Sequence, residues 1–499
     1  MYSKQEVHNM DSMEKVSALL EKRAKIALGG GDDKQQKQRQ GGALTARERI
    51  AAFLDEGSFI ELDTFVSARN RETASDGVVT GYGTADGRLV YVYSQDVTVL
   101  GGAIGEMNVK KITKVFDLAL KMGAPIVGMI DSNGARLEEG IFAQQAAGEL
   151  INAAAKASGV VPNISIVFGN CAGGSAVFAS MSDFVIMNEK NGRLFVTGPE
   201  VVEASTGKKL DAGAKASVNE NGSAHLIGAD DMQCIEKARL LLTYLPSNNL
   251  SDAFAFETGD DLNRTSEQLR DIDSVSDVRA VIAEIADDKA FYEMQEGYAE
   301  AIVTGFIRLN GAAVGAVACA GDVLDGRACE KAARFVRFCD CFNIPVLSIT
   351  DTDGFKVSAD EEIWGLARKS ARMAYAFSEA TVPKVNVIIG KSYTTAGVIM
   401  NCGGADIVLA YPSAQIAPLA PGAGVGMLYA DRLKKGENRD ALCAEYAEKD
   451  ASVYNAAAAG YVDDVIDPAE TRQRVIGAFE MLSGKRAESS PRKHDNMPL

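Results

Sequence analysis

Val161-Pro-Asn-Ile-Ser-Ile-Val-Phe-Gly169 runs straight into Asn170-Cys-Ala-Gly173-Gly174-Ser-Ala176. A β-branched apolar run that ends in glycine reads as a buried strand, and the small residues after it open a helix. The passage returns as Val382-Pro-Lys-Val-Asn-Val-Ile-Ile-Gly390, followed by Lys391-Ser-Tyr-Thr394-Thr395-Ala396-Gly397. Working outward, Val79-Thr-Gly81 recurs as Val303-Thr-Gly305. Pro125-Ile-Val127 with Asp131-Ser-Asn-Gly134 recurs as Pro345-Val-Leu347 with Asp351-Thr-Asp-Gly354, and Asp183-Phe-Val-Ile186 as Asp406-Ile-Val-Leu409. The offsets are 221, 224, 220 and 223 residues, one register with small insertions. Four ordered matches mean two copies of one domain.

Each copy has the same predicted order: a strand pair, a helix, a buried strand with a Gly-containing loop, a second helix, the Val-Pro strand and the small-residue helix. Strands alternating with helices predict an α/β fold with a largely parallel core. The predicted organisation is an amphipathic arm over 1–42, a first domain over 43–260, an acidic linker over 261–290 and a second domain over 291–499. Within the arm, the composition of Gly29 to Gly42 predicts a mobile loop.

The chain has 499 residues, 46% hydrophobic and 24% charged, the balance of a globular protein. Its net charge of −16 excludes a nucleic-acid footprint, which needs a basic face. The start has no signal-peptide pattern and no apolar run is long enough to span a bilayer, so a cytoplasmic protein is expected. Eight cysteines form no C-x-x-C pair and read as core thiols of a reducing compartment. Three histidines, His8, His225 and His494, leave little for a catalytic triad or a metal site; no metal is expected, and His225 reads as a packed loop residue. Lys110-Lys111 reads as a solvated helix face.

The chemistry concentrates where strands end. N–H groups bared at a helix start beyond Gly173-Gly174 suit an anionic oxygen and would make an oxyanion hole for a thioester enolate. The competing reading is close helix packing that requires glycine. The loop Asp131-Ser-Asn-Gly134-Ala135-Arg136 ends the neighbouring strand, where α/β ligands tend to bind, and offers a second donor. Arg136 either reaches a phosphate or is structural. In the second copy the matching loop is Asp351-Thr-Asp-Gly354-Phe355. Two related pockets suit a reaction between two ligands that each present a carbonyl.

Leu44-Thr-Ala-Arg47-Glu-Arg49-Ile50, Asp76-Gly-Val-Val-Thr-Gly-Tyr-Gly83, Tyr93-Ser-Gln-Asp96, Gly101-Gly-Ala-Ile-Gly-Glu106, Cys171-Ala-Gly-Gly174, Thr197-Gly-Pro199, Glu379-Ala-Thr-Val-Pro-Lys384 and Gly460-Tyr-Val-Asp-Asp-Val-Ile-Asp-Pro468 form an ordered set. Together they resemble the carboxyltransferase (β) subunits of biotin-dependent acyl-CoA carboxylases, the matching subunits of transcarboxylase and those of sodium-pumping decarboxylases. The resemblance runs from about residue 14 to 480. It implies tandem crotonase-like domains assembled as a hexamer, acyl-CoA held by the first domain and biotin by the second. Biotin would arrive on a separate carrier protein, with biotin carboxylase or membrane decarboxylase subunits as the other partners. It also implies that Gly173 and Gly174 face the acyl carbonyl while Thr395 and Ala396 face the biotin ureido oxygen. Gly134, Ala135, Gly354 and Phe355 would flank these sites, and coenzyme A phosphate contacts are expected near Arg47 and Arg136.

The chain departs from the family pattern at three places. Thr394-Thr395 stands where the family reads Gly-Gly, Asn133 where it reads Gly, and Val398 where many relatives carry the Asp associated with acyl size. The mechanism implied is positioning and electrostatics without a protein nucleophile.

Overall fold

The computed structural model describes residues 12–68, 73–272, 277–321, 323–401, 404–487, 491, 494 and 496–497. They divide into two compact units, one running to Ser217 with Ser223–Leu241, the other comprising Val218–Gly222 and the chain from Leu242 onward.

In the first unit α1 (Ser12–Ala27), α2 (Asp32–Gln40) and α3 (Ala46–Phe53) precede the sheet. The strands are β1 (Ile60–Leu62), β2 (Val78–Ala85), β3 (Arg88–Gln95), β4 (Ile126–Ser132), β5 (Asn163–Ala172), β6 (Phe184–Asn188), β7 (Arg193–Phe195) and β8 (Leu226–Gly228). The helices among them are α4 (Glu106–Met122), α5 (Ile141–Ala157), α6 (Gly174–Ser180) and α7 (Pro199–Thr206), and α8 (Asp231–Tyr244) follows. The sheet order is β1-β2-β3-β4-β5-β6-β8, with β7 pairing β5. β1, β2 and β3 are antiparallel; β3 onward is parallel. Every residue of β4 is buried, as a central parallel strand requires. α4 lays Val109, Ile112, Val115, Phe116 and Ala119 against the sheet, the 3–4 residue spacing of one helix face.

The second unit repeats this plan. It has α9 (Glu267–Arg270), α10 (Val278–Ile285), β9 (Tyr292–Met294), β10 (Ile302–Leu309), β11 (Ala312–Cys319), β12 (Val323–Leu324) and α11 (Gly326–Cys341). Then come β13 (Val346–Thr352), β14 (Gly354–Phe355), α12 (Ala359–Ile363), α13 (Leu366–Glu379), β15 (Lys384–Tyr393), α14 (Thr394–Asn401), β16 (Ile407–Ala410), β17 (Gln415–Ala417) and β18 (Asp464–Val465). The order β9-β10-β11-β13-β15-β16-β18, with β17 pairing β15, reproduces the first sheet strand for strand.

The repeat begins earlier than sequence identity revealed. Asp55, after α3, accepts the N–H groups of Asp86 and Gly87 in the β2–β3 turn. Asp287, after α10, accepts those of Asn310 and Gly311 in the β10–β11 turn. All four turn residues have positive φ, as a two-residue hairpin turn demands. Arg239 reaches Phe53 O and Asp55, and Arg472 reaches Ile285 O and Asp287. So α10 is the second copy of α3. Leu269, Val278, Val281, Ile282 and Ile285 all join the core of the second unit.

The loop expected between Gly29 and Gly42 is also a helix in part. α2 carries Asp32 and Asp33 in its first turn and Lys37 and Arg39 in its last, which complements the helix dipole. Gln35 is buried and its amide donates to Ala27 O. Of the cysteines, Cys171, Cys234, Cys319, Cys329 and Cys339 are buried, whereas Cys341 is exposed and Cys443 half-buried; Cys402 lies outside the described residues, as does His8. No helix among the described residues is long and apolar enough to cross a membrane.

Candidate active site

Each sheet ends in an elbow where β5 turns into α6, or β15 into α14. Gly173 adopts φ 59° and ψ −120°, a conformation that side chains resist. Its own N–H donates to Phe195 O at 2.9 Å, and its carbonyl accepts the N–H of Ala176 at 3.1 Å. The next N–H groups at the helix start are those of Gly174 and Ser175. Gly173 supplies the bend, and its N–H goes to Phe195 O in β7. Packing does not demand glycine at 174, because an added Cβ would meet only Ala147 Cβ at 3.8 Å. At Gly173 it would meet only Val196 O at 3.9 Å. Close helix packing thus fails as the reason for these glycines: at 173 the backbone conformation calls for one, and at 174 the space in front of the bend is open.

The strand registers match the two elbows residue by residue. Ser132 pairs with Cys171 and Thr352 with Ser392, so Thr394 stands where Gly173 does, and Thr395 and Ala396 stand where Gly174 and Ser175 do. Thr394 takes φ 58°, unusual for a β-branched residue and worth roughly 1–3 kcal/mol of strain. Its side chain is turned onto Gly354, where an added Cβ would lie 2.7 Å from Thr394 Oγ1. The Ala396 N–H reaches the same hydroxyl at 3.4 Å, a long and easily exchanged bond. The two threonines therefore leave the elbow's shape intact, Thr395 is exposed, and the residues present fit a neutral ureido carbonyl approaching from outside. Val398 lies on the same helix, 46% exposed; its counterpart Val177 is 40% exposed.

The loops beside the elbows also correspond. Gly134 N–H donates to Ser132 Oγ at 3.3 Å and Gly354 N–H to Thr352 Oγ1 at 3.2 Å. Ala135 is exposed between Gly134 and Arg136, whose N–H goes to Ile104 O. Phe355 occupies the matching place in β14, bridged to Leu324 as Ala135 is to Ile104.

Both arginines expected near the coenzyme A phosphates are engaged in ion pairs. Arg136 is 2% exposed; its guanidinium is held by Asp76 at 2.6 Å, Glu139 at 2.7 Å and Ala103 O. Burial pushes the Asp76 carboxyl up, and the Arg136 charge opposes that. Arg47 makes a two-pronged ion pair with Glu61 at 2.7 and 2.8 Å. Arg279 and Glu293 repeat that pair in the second unit at 2.7 and 2.6 Å, which marks it as part of the repeat's architecture. Arg47 thus ties α3 to β1, and Arg136 ties its loop to the segments around Asp76 and Ala103.

Sequence reasoning passed over Arg49, which is fully buried. It lies 4.4 Å over the Phe168 ring and bonds Asp131 and Asp231, bracing the strand ends from behind. Burial pushes the Asp131 carboxyl up, and Arg49 counters it. The motif Leu44-Thr-Ala-Arg-Glu-Arg49 is thus explained as a capping box, Thr45 with Glu48, followed by two structural arginines. Lys111 departs from the expected solvated face: it is buried and donates to Val78 O at 2.6 Å. His225 is buried, its Nδ1 accepting the Val185 N–H at 3.0 Å.

Residues 37–497 match the model of the carboxyl transferase domain. The chain is 43% identical to the methylmalonyl-CoA decarboxylase subunit alpha of Veillonella parvula, over 97% of this chain and 99% of that one. It is 41% identical to the propionyl-CoA carboxylase carboxyltransferase subunit of Haloferax mediterranei, over 98% and 100%. Among solved structures it resembles the transcarboxylase 12S hexamer with methylmalonyl-coenzyme A bound, with a TM-score of 0.94 and 39% identity over 98% of this chain and 99% of that one. The fold is the tandem crotonase-like arrangement expected from the sequence.

Proposed function

This chain belongs to the carboxyl transferase family, and on that premise we propose that it moves a carboxyl group between biotin on a separate carrier protein and a short-chain acyl-CoA, propionyl-CoA and methylmalonyl-CoA foremost. The observation that carries the reading is the first elbow: an open-faced helix start whose glycines packing does not require. The Gly174 and Ser175 N–H groups hold the thioester oxygen as it gains charge, with the Ala135 N–H nearby in the loop. Such donors act strongly because they are fixed before the reaction begins.

Thr395 and Ala396 hold the ureido oxygen of biotin in the second repeat, with Gly354 and Phe355 beside them and Val398 on the same helix. Biotin supplies the carboxyl acceptor and donor; the chain positions the two ligands. Arg47 and Arg136 steady the first repeat that receives the acyl-CoA. The protein acts in the cytoplasm as a homo-oligomer, a hexamer like the 12S core, alongside biotin carboxylase and biotin carrier subunits. A second setting is favoured by the 43% identity with the Veillonella subunit: the same half-reaction run within a decarboxylase that has membrane subunits. Co-purification of an ATP-using biotin carboxylase or of a membrane subunit separates the two settings. The activity itself is tested by carboxyl transfer from methylmalonyl-CoA to free biotin.

A further inference from the structure

In the first repeat, Asn170 Nδ2 at the end of β5 donates to Asn133 Oδ1 in the loop after β4, at 2.9 Å. In the second repeat Lys391 and Asp353 hold the equivalent positions, the residue before the Cys171 or Ser392 register point and the one after Ser132 or Thr352. There Lys391 Nζ bonds Asp353 Oδ2 at 3.1 Å. An amide pair in one copy has become an ion pair in the other, and the contact has persisted.

Stability does not account for the contact. Asn133 and Asn170 are exposed, the Lys391 and Asp353 side chains are 43% and 33% exposed, and solvent-exposed links of this kind add little to folding. Nor is the link a by-product of shared residues, since neither position keeps its residue from one repeat to the other. A second, inner link in the first repeat, Ser175 Oγ to Ser132 Oγ at 3.1 Å, has no hydroxyl counterpart at Ala396. Of these two side-chain links, the outer one is common to both repeats. It ties the loop that carries Ala135 or Phe355 to the strand that carries the elbow.

We propose that Asn133–Asn170 and Asp353–Lys391 are positioning latches, each fixing the loop donor relative to the elbow donors, and that each repeat requires the contact and not a particular chemistry. This rests on the carboxyltransferase reading above. A loop free to drift by about an ångström would loosen the donors around the reacting carbonyl, and misplacements of that size cost up to about 10²-fold in rate.

The test uses the full-length chain with methylmalonyl-CoA and free biotin. Asn133→Ala and Asn170→Ala should each lower kcat about tenfold, with KM within about threefold and the melting temperature unchanged within about 2 °C. The double variant N133D/N170K, which transplants the ion pair into the first repeat, should recover kcat to within about threefold of wild type. In the second repeat, Lys391→Met should weaken free biotin binding several-fold by calorimetry, and the swapped pair D353K/K391D should restore it. Alanine variants as active as wild type would overturn the proposal. So would an N133D/N170K enzyme as poor as the alanine variants, because the amides themselves would then be what the site needs. A wild-type chain with no biotin-dependent transfer would instead remove the carboxyltransferase reading, and the latch with it.

Discussion

Gly174→Val separates packing from catalysis at the first elbow. The new Cβ meets only Ala147 Cβ, at the ordinary contact distance of 3.8 Å, and Gly174 lies outside the left-handed backbone region. A non-glycine residue at this helical position is neutral or slightly favourable, so folding stability should stay within about 1 kcal/mol of wild type. The γ-methyl groups, however, project into the open space before the Gly174 and Ser175 N–H groups. Losing one preorganised donor costs roughly 2.7–4 kcal/mol of transition-state stabilisation, about 10²–10³ in kcat. The assay is steady-state carboxyl transfer from methylmalonyl-CoA to free biotin, run beside a thermal melt. Gly173→Ala is the contrast: its φ of 59° makes any side chain cost about 1–2 kcal/mol of stability, so both readouts should fall. A folded Gly174→Val enzyme with wild-type kcat would refute the argument that the thioester oxygen rests there.

Three further outcomes follow from buried and paired charges. Arg136→Met should cost about 3–5 kcal/mol by urea denaturation, because Asp76 and Glu139 would be left buried without a counter-charge; a loss below about 1 kcal/mol would show the pair to be dispensable. Arg47→Ala breaks a partly exposed pair with Glu61, so stability should drop by about 1 kcal/mol or less while the acyl-CoA KM moves less than twofold. A tenfold rise in KM at unchanged stability would reinstate Arg47 as a coenzyme A contact. Burial pushes the Lys111 ammonium down to about 8, below its unfolded value. The folded state then releases this proton first, the unfolded state binds more protons between about pH 8 and 10.5, and stability gains from this group as pH rises through that window. Relative to Lys111→Met, wild type should therefore gain on going from pH 7.5 to 9.5, by no more than about 1.4 kcal/mol per pH unit; a pH-independent difference would contradict the assignment.

The central strands and elbows were legible in the sequence because buried parallel strands admit few residue types, and both copies kept them. The edges of the repeat were not. α3 and α10 are matched by an arginine–glutamate clamp and a turn-binding aspartate, not by a run of shared residues, and the acidic charge around α10 read as solvent-exposed linker. α2 was hidden by glycine and glutamine, though its end charges suit a helix. The partners of Arg136 and Arg47 were not legible because ion pairs with residues 60 and 14 positions away leave no trace in local pattern. The bond from Gly173 N–H to Phe195 O at the first elbow was hidden for a similar reason.

The most direct test of the account is to give the purified chain methylmalonyl-CoA, with and without free biotin, and to follow propionyl-CoA by chromatography. The account predicts propionyl-CoA that forms only with biotin present and falls by about 10²–10³ in Gly174→Val. Release that is independent of biotin, or none from folded protein, would contradict it.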